Sequence, residues 1–151
     1  MIKLQKILVP TDFSEPSQSA LRYGAAFADQ FGASVHFLHA IEHPTQFGFS
    51  GIDVTQLTED LKKHAEEKME ELHTLWSDYC FPVHREIRIG NPAQILVDYA
   101  KEIEADMIVM GTHGHGAIRH MLLGSVAERV VRMAPCPVLT VRCPEHEFVL
   151  P

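Results

Sequence analysis

The sequence predicts an α/β fold, a single open five-stranded parallel sheet in the order 3-2-1-4-5 with helices on both faces. Three observations lead there. Apolar stretches of strand length alternate with amphipathic stretches of helix length along all 151 residues. The first and fourth strand stretches, Lys6–Pro10 and Met107–Met110, are the most continuously apolar, which suits central positions covered on both faces. A glycine-rich loop, Gly111-Thr112-His113-Gly114-His115-Gly116, follows the fourth stretch directly. Parallel sheets bind ligands at such carboxyl ends, where the strand order reverses, here between strands one and four.

Each element can be justified in order. Lys6–Pro10 is an apolar strand closed by proline, and Thr11-Asp12-Phe13-Ser14 makes a turn with Ser14 placed to cap a helix from Glu15 to Phe31. Ala20, Leu21, Gly24, Ala25 and Ala28 give that helix a stripe of small residues suited to close packing, and Gly32 ends it. Ser34–Ile41 is the second strand, and residues 42–52 form a loop containing Gly, Pro and Phe. Leu57, Leu61, Ala65, Met69, Leu72, Leu75 and Trp76 then recur at helical spacing, with Lys62, Lys63, Glu66, Glu67 and Glu70 on the outer face. In the third strand, Val83–Ile89, His84, Glu86 and Arg88 alternate with apolar residues, while Arg85 falls on the apolar side. That polarity suits a sheet edge. Asn91 as cap and Pro92 in the first turn start a third helix that buries Ile95, Leu96, Tyr99, Ala100 and Ile103. After the glycine loop, Val126, Ala127, Val130, Val131 and Ala134 mark a last helix starting at Ser125. Val138–Val141, fenced by Pro135, Pro137 and Pro144, is the fifth strand.

The bounds exclude several classes. A length of 151 residues fits one domain, 1–151, with a short tail at 143–151. No stretch approaches the roughly 18 apolar residues of a membrane span. Met1-Ile2-Lys3-Leu4 runs straight into a strand without a signal peptide, so a cytoplasmic protein is expected. A net charge of −7 argues against nucleic acid as a partner. Cys80, Cys136 and Cys143 are too scattered for a disulfide framework or a zinc site. His113, His115 and His120 form a loose group, but no helical His pair with a glutamate base accompanies them, so no metal site is assigned. His36 and His39 lie three apart on a strand, hence on opposite faces, and read as structural.

The chemistry concentrates in the glycine loop. Glycines leave no Cβ in the way and permit left-handed backbone, so amides can close on an anion. A helix starting at Ser125 adds unpaired N–H groups and the positive end of its dipole. The segment also carries His113, His115, Arg119 and His120, with no carboxylate from Gly111 to Ala127. A plainer reading stands beside this one: Ser125-Val126-Ala127-Glu128 is a capping box, and Gly111 and Gly124 merely end a strand and precede a cap. The loop is neither a Walker loop, lacking Gly-Lys-Ser/Thr, nor the dinucleotide fingerprint.

Gly111, two residues, Gly114, nine residues and Gly124-Ser125 together resemble the G-x2-G-x9-G-[ST] motif of the ATP-binding universal stress proteins. Lys6–Asp12 is similar to that family's opening strand and acidic turn, Gly90-Asn91-Pro92-Ala93 to the start of its third helix, and Ala134–Val141 to its last strand. The resemblance covers nearly the whole chain, in order. It implies a Rossmann-like sheet of the adenine nucleotide alpha hydrolase-like kind, with ATP, ADP or AMP bound between strands one and four, together with Mg²⁺. On that reading Pro10, Thr11 and Asp12 meet Met110 and Gly111 at the crevice. Asp12 accepts from ribose hydroxyls, although it could instead serve as a second cap for the first helix. Ala40 meets adenine through its backbone. Gly111, Gly114, Gly116, Gly124 and Ser125, with the neighbouring Val126 amide, hold the phosphates, and His113 and His115 reach phosphate or Mg²⁺ through water. A homodimer through the edge of strand five is implied, which the tail could modify, and the loop with Phe47 and Phe49 could act as a lid.

No catalytic residue is assigned. There is no Gly-x-Ser-x-Gly elbow, no Walker lysine and no evident base to activate water. The expectation is a nucleotide-dependent stress-response or signalling module with at most weak ATPase activity. The alternatives are a dimeric interaction module without nucleotide and a nucleotide or phosphoester hydrolase. A flavodoxin-like FMN carrier fits less well, because Thr11-Asp12-Phe13-Ser14 lacks the hydroxyl-rich phosphate loop expected there.

Overall fold

The fold was analysed in a computed structural model, described for residues 1–44, 53–114 and 122–143. Along these residues run β1 (Lys6–Pro10), α1 (Glu15–Phe31), β2 (Ser34–Ile41), α2 (Val54–Leu75), β3 (Val83–Ile89), α3 (Pro92–Glu102), β4 (Met107–Gly111), α4 (Ser125–Met133) and β5 (Val138–Val141). All four strand pairings are parallel and the order is β3-β2-β1-β4-β5. Crossover helices place α1 and α2 on one face and α3 and α4 on the other.

Alternation along the central strands builds two cores. Ile7, Val9, Val35, Phe37 and Val109 point to the α1–α2 side. Leu8, Leu38, Ile108 and Met110 point to the α3–α4 side. The fully buried central strands explain why β1 and β4 read as unbroken apolar runs. The small stripe of α1 does what its residues suggest: a Cβ on Gly24 would lie 2.6 Å from Val9 Cγ2, so the helix sits on β1 at a spacing that only glycine permits.

The helix ends are mostly local chemistry. Ser14 accepts from the Ser17 amide, Gly32 closes α1 with φ 67°, and Asn91 accepts from the Gln94 amide at 3.1 Å. Asp53, which the sequence pattern did not single out, caps α2 through the amides of Thr55 and Gln56.

Two expectations are corrected. The apolar seam of α2 is narrower than its spacing suggests: Ala65, Met69 and Leu72 are buried, while Leu61 and Leu75 are exposed. This helix covers only the β2–β3 side of the sheet, so its ends overhang the packed surface. On α4, Ala127 and Val130 are buried but Val131 is exposed. Arg85, out of place in the β3 pattern, finds its reason in α2, where its guanidinium pairs with Glu70. Cys80 and Cys143 are exposed, Cys136 is half-buried, and all three are free thiols. Among the described residues no helix is long and apolar enough to cross a membrane.

Candidate functional site

A cavity of about 580 Å³ opens at the carboxyl ends of β1 and β4, at the point where the strand order reverses. Its first wall is the end of β1 and the turn beyond it, Pro10, Thr11 and Asp12. Thr11 is buried, and its Oγ1 accepts from the Phe13 amide at 3.0 Å and lies 3.2 Å from Ser17 Oγ on α1. Asp12 Oδ1 accepts from the Ser14 amide at 3.0 Å and from the Ser14 hydroxyl. The carboxylate therefore organises the residue that caps α1, which is close to the capping role considered for it, while still facing the cavity.

The opposite wall is built from β4 and the loop behind it. Met110, Gly111, His113 and Gly114 line the cavity, and so do Gly124, Ser125 and Val126 at the start of α4. The two ends of this loop are tied by the Gly124 amide, which donates to Thr112 O at 2.7 Å. Thr112 continues the β4–β5 ladder by donating to Val141 O at 3.0 Å, and its Oγ1 lies 3.0 Å from His113 Nδ1. Ala40, at the end of β2, completes the set. His115 and Gly116 lie outside the described residues, as do Phe47, Phe49, Arg119, His120 and the tail beyond Cys143.

Of the two properties the sequence argument gave the glycines, left-handed backbone is not used at Gly111, Gly114 or Gly124, whereas the missing Cβ is. Among the described residues the left-handed glycines are Gly32 and Gly90; Gly111, Gly114 and Gly124 are not left-handed. What matters is the missing Cβ. One on Gly111 would come 2.9 Å from Pro16 O, one on Gly114 would collide with Asp12 Oδ2, and one on Gly124 would crowd Thr112 O at 3.3 Å. Gly111 thus admits α1, Gly114 admits the Asp12 carboxylate, and Gly124 admits the loop's own backbone.

The capping box is also corrected. Gly124, not Ser125, is the N-cap of α4, and no side chain caps the helix there. Ser125 is the first helical residue, and Glu128 donates its amide to Gly124 O at 2.9 Å while its carboxylate pairs with Arg132 at 2.9 Å. The amides of Ser125, Val126 and Ala127 therefore have no partner within the helix and stand at the positive end of its dipole, against the cavity.

Sequence reasoning missed eight lining residues: Ser17, Leu38, His39, Glu42, Pro92, Leu96, Thr112 and Ala127. Thr112 and Glu42 were signalled by their neighbours Gly111 and Ala40, whereas Pro92 and Leu96 come from α3, which no local motif ties to the site. His39 does lie on the opposite face of β2 from His36, as its spacing implies, but it also lines the cavity. Its Nδ1 lies 2.7 Å from Thr11 O. Burial pushes the imidazole's pKa down, assisted by His64 and opposed by the Thr11 carbonyl and Asp12, so the ring is neutral near pH 7.

A cavity apolar at Pro10, Leu38, Ala40, Leu96 and Met110, with glycines and a helix N-terminus at its other end, suits a small ligand carrying a flat apolar part and an anionic part. Comparison with known proteins is consistent with that geometry. The universal stress protein family profile matches residues 3–142. The universal stress protein MJ0531 of Methanocaldococcus jannaschii is 35% identical over 144 residues, covering 95% of this chain and 85% of that protein. The solved structure of MJ0577 from the same organism superimposes with a TM-score of 0.83 at 32% identity, covering 98% of this chain and all of that one. A universal stress protein solved in complex with cAMP has a TM-score of 0.71 at 26% identity, over 93% of this chain and 98% of that one. By sequence and by fold, the chain belongs to the universal stress protein family.

Proposed function

We propose that the cavity binds an adenine nucleotide, ATP or its relatives ADP and AMP, with Mg²⁺ accompanying the phosphates. The protein would act in the cytoplasm as a homodimeric, nucleotide-dependent stress-response or signalling module. The observation that carries this reading is the start of α4: a helix N-terminus with a glycine cap leaves the amides of Ser125, Val126 and Ala127 facing a cavity of nucleotide size. The cAMP complex of a relative supports the same ligand class.

The parts divide by chemistry. The apolar end, with Ala40 and Met110, takes the base, and Asp12 stands at the crevice where a ribose would lie. Gly111, Gly114, Gly124 and Ser125 take the phosphates, with His113 beside them. Mg²⁺ would be held chiefly by the phosphates, because among the described residues no three His, Cys, Asp or Glu side chains converge. Hydrolysis is slow on this reading. Asp12 Oδ1 is already occupied by the amide and hydroxyl of Ser14, so this oxygen is not poised as a base for an attacking water.

Calorimetric titration with ATP and Mg²⁺, beside a Gly114→Val variant, tests the reading. Binding by the wild type and its loss in a folded variant, whose added side chain meets Asp12, is the expected result. No binding by the wild type would overturn it and leave a dimeric interaction module. Phosphate release well above trace at saturating ATP would replace it with a hydrolase.

A further inference from the structure

His39 is in a position that packing alone does not explain. Where the β1–β2 ladder ends, the Thr11 amide donates to Leu38 O at 2.9 Å, and the next main-chain acceptor, Thr11 O, is met by the imidazole at 2.7 Å. A carbonyl oxygen can only accept, so Nδ1 carries the proton and the tautomer is fixed. The same ring lies 4.5 Å from the Phe13 ring, centroid to centroid, at a 40° tilt. Phe13 has φ 64°, a left-handed conformation that a bulky residue adopts only where its surroundings hold it. His39 thus grips both sides of one residue: the carbonyl before Asp12 and the side chain after it. Asp12 faces the cavity between those two anchors, its Oδ1 held by the amide and hydroxyl of Ser14 and its Oδ2 set against Gly114.

We infer that His39 is a positioning residue that sets the direction of the Asp12 carboxylate, and through it the site's preference for a nucleotide with free ribose hydroxyls. The inference rests on the adenine-nucleotide reading of the cavity and adds the residue that determines its sugar selectivity. A purely structural histidine would contribute stability without affecting which sugar is preferred.

The test compares the affinities of ATP and 2′,3′-dideoxy-ATP by calorimetry in the wild type and in His39→Leu, His39→Asn and His39→Gln. Asparagine can place an N–H where Nδ1–H stands, whereas glutamine carries its amide further out, toward the position of Nε2. Loss of hydrogen bonds to a carboxylate predicts a wild-type preference for ATP of about tenfold or more. That ratio should fall to within about threefold in the leucine and glutamine variants and return in the asparagine variant. A folded leucine variant with the wild-type ratio overturns the inference. If the leucine variant does not fold, the asparagine–glutamine pair decides, and equal ratios in the two overturn it. Failure of all three to fold would assign His39 to stability and overturn it as well. A wild type that binds both nucleotides equally refutes the sugar selectivity while leaving nucleotide binding intact. A wild type that binds neither removes the functional reading, and this inference with it.

Discussion

His36, on the opposite face of β2 from His39, is buried between β3 and α3. Its Nδ1 lies 3.2 Å from the Tyr99 hydroxyl, and its ring stacks on His84 with centroids 4.4 Å apart. Tyr99 is in turn covered by Arg88, 4.6 Å from the ring centroid, and Arg88 binds both oxygens of Glu102 at 2.8 and 2.9 Å. Burial, then the neighbouring His84 and Lys6, lower the His36 pKa from 6.5 to about 4. The unfolded chain takes up that proton near pH 6.5, whereas the folded protein resists it until about pH 4. Between those values the unfolded state holds more protons, so stability falls as the pH falls, and the contribution is complete above pH 6.5. Urea denaturation should therefore show a loss on the order of 1–3 kcal/mol across this window, reduced in His36→Phe. An identical pH profile in that variant would show that other groups cause the loss. Composition gave no hint of this pair, because His36 and His84 become neighbours only through the β2–β3 register.

At the scale of elements, α4 carries the sharpest consequence. Ser125 occupies the first helical position, where proline fits without straining the helix, and Gly124 has the extended backbone, φ −68° and ψ 161°, that a following proline requires. Ser125→Pro should leave thermal stability close to wild type while removing one amide from the cradle, and should weaken ATP by about tenfold. Ser125→Ala, which keeps the amide, separates the hydroxyl's share. Unchanged affinity in the proline variant would mean that the helix N-terminus does not meet the phosphates. The bounds of β2, β3 and β5 were legible in the sequence to the residue, because turn formers or prolines bracket short runs of strand-forming residues. The cap of α4 was not. Ser125-x-x-Glu128 satisfies the capping-box pattern, but Gly124, tied to Thr112 O by its amide, is the N-cap, so the helix starts one residue earlier than that pattern suggests. The seam of α2 was overread for a related reason: periodicity shows which face of a helix is apolar, not how far the sheet beneath it extends.

For the molecule as a whole, strand order followed from the sequence because continuous apolarity selects central strands and polarity selects edges. Side-chain pairings across the crevice did not, since Asp12 and Gly114, or Thr11 and His39, are distant in sequence and no local pattern records them. The β5 edge bears on assembly. Pro137 O and Val141 O accept from the β4 side, and strand alternation then turns the main-chain groups of Val138 and Thr140 outward. If two copies pair along β5, Thr140→Pro should preserve the fold by circular dichroism while removing an outward N–H donor. Sedimentation velocity should then show the dimer of the wild type weakened by about tenfold. A wild type that sediments as a monomer, or a variant as dimeric as the wild type, would refute pairing through this edge.

The close approach of Pro16 to Gly111 has a mechanical meaning. The carbonyl of Pro16 sits where a side chain on Gly111 would be, which fastens the first turn of α1 to the last residue of β4. The segment carrying Asp12 leads directly into that turn, and the segment carrying the glycine cradle leaves directly from that strand end. The two lips of the crevice are thus packed closely together at their common base. On the nucleotide reading, the width of the gap at its base would then be set by backbone packing before any polar group is matched.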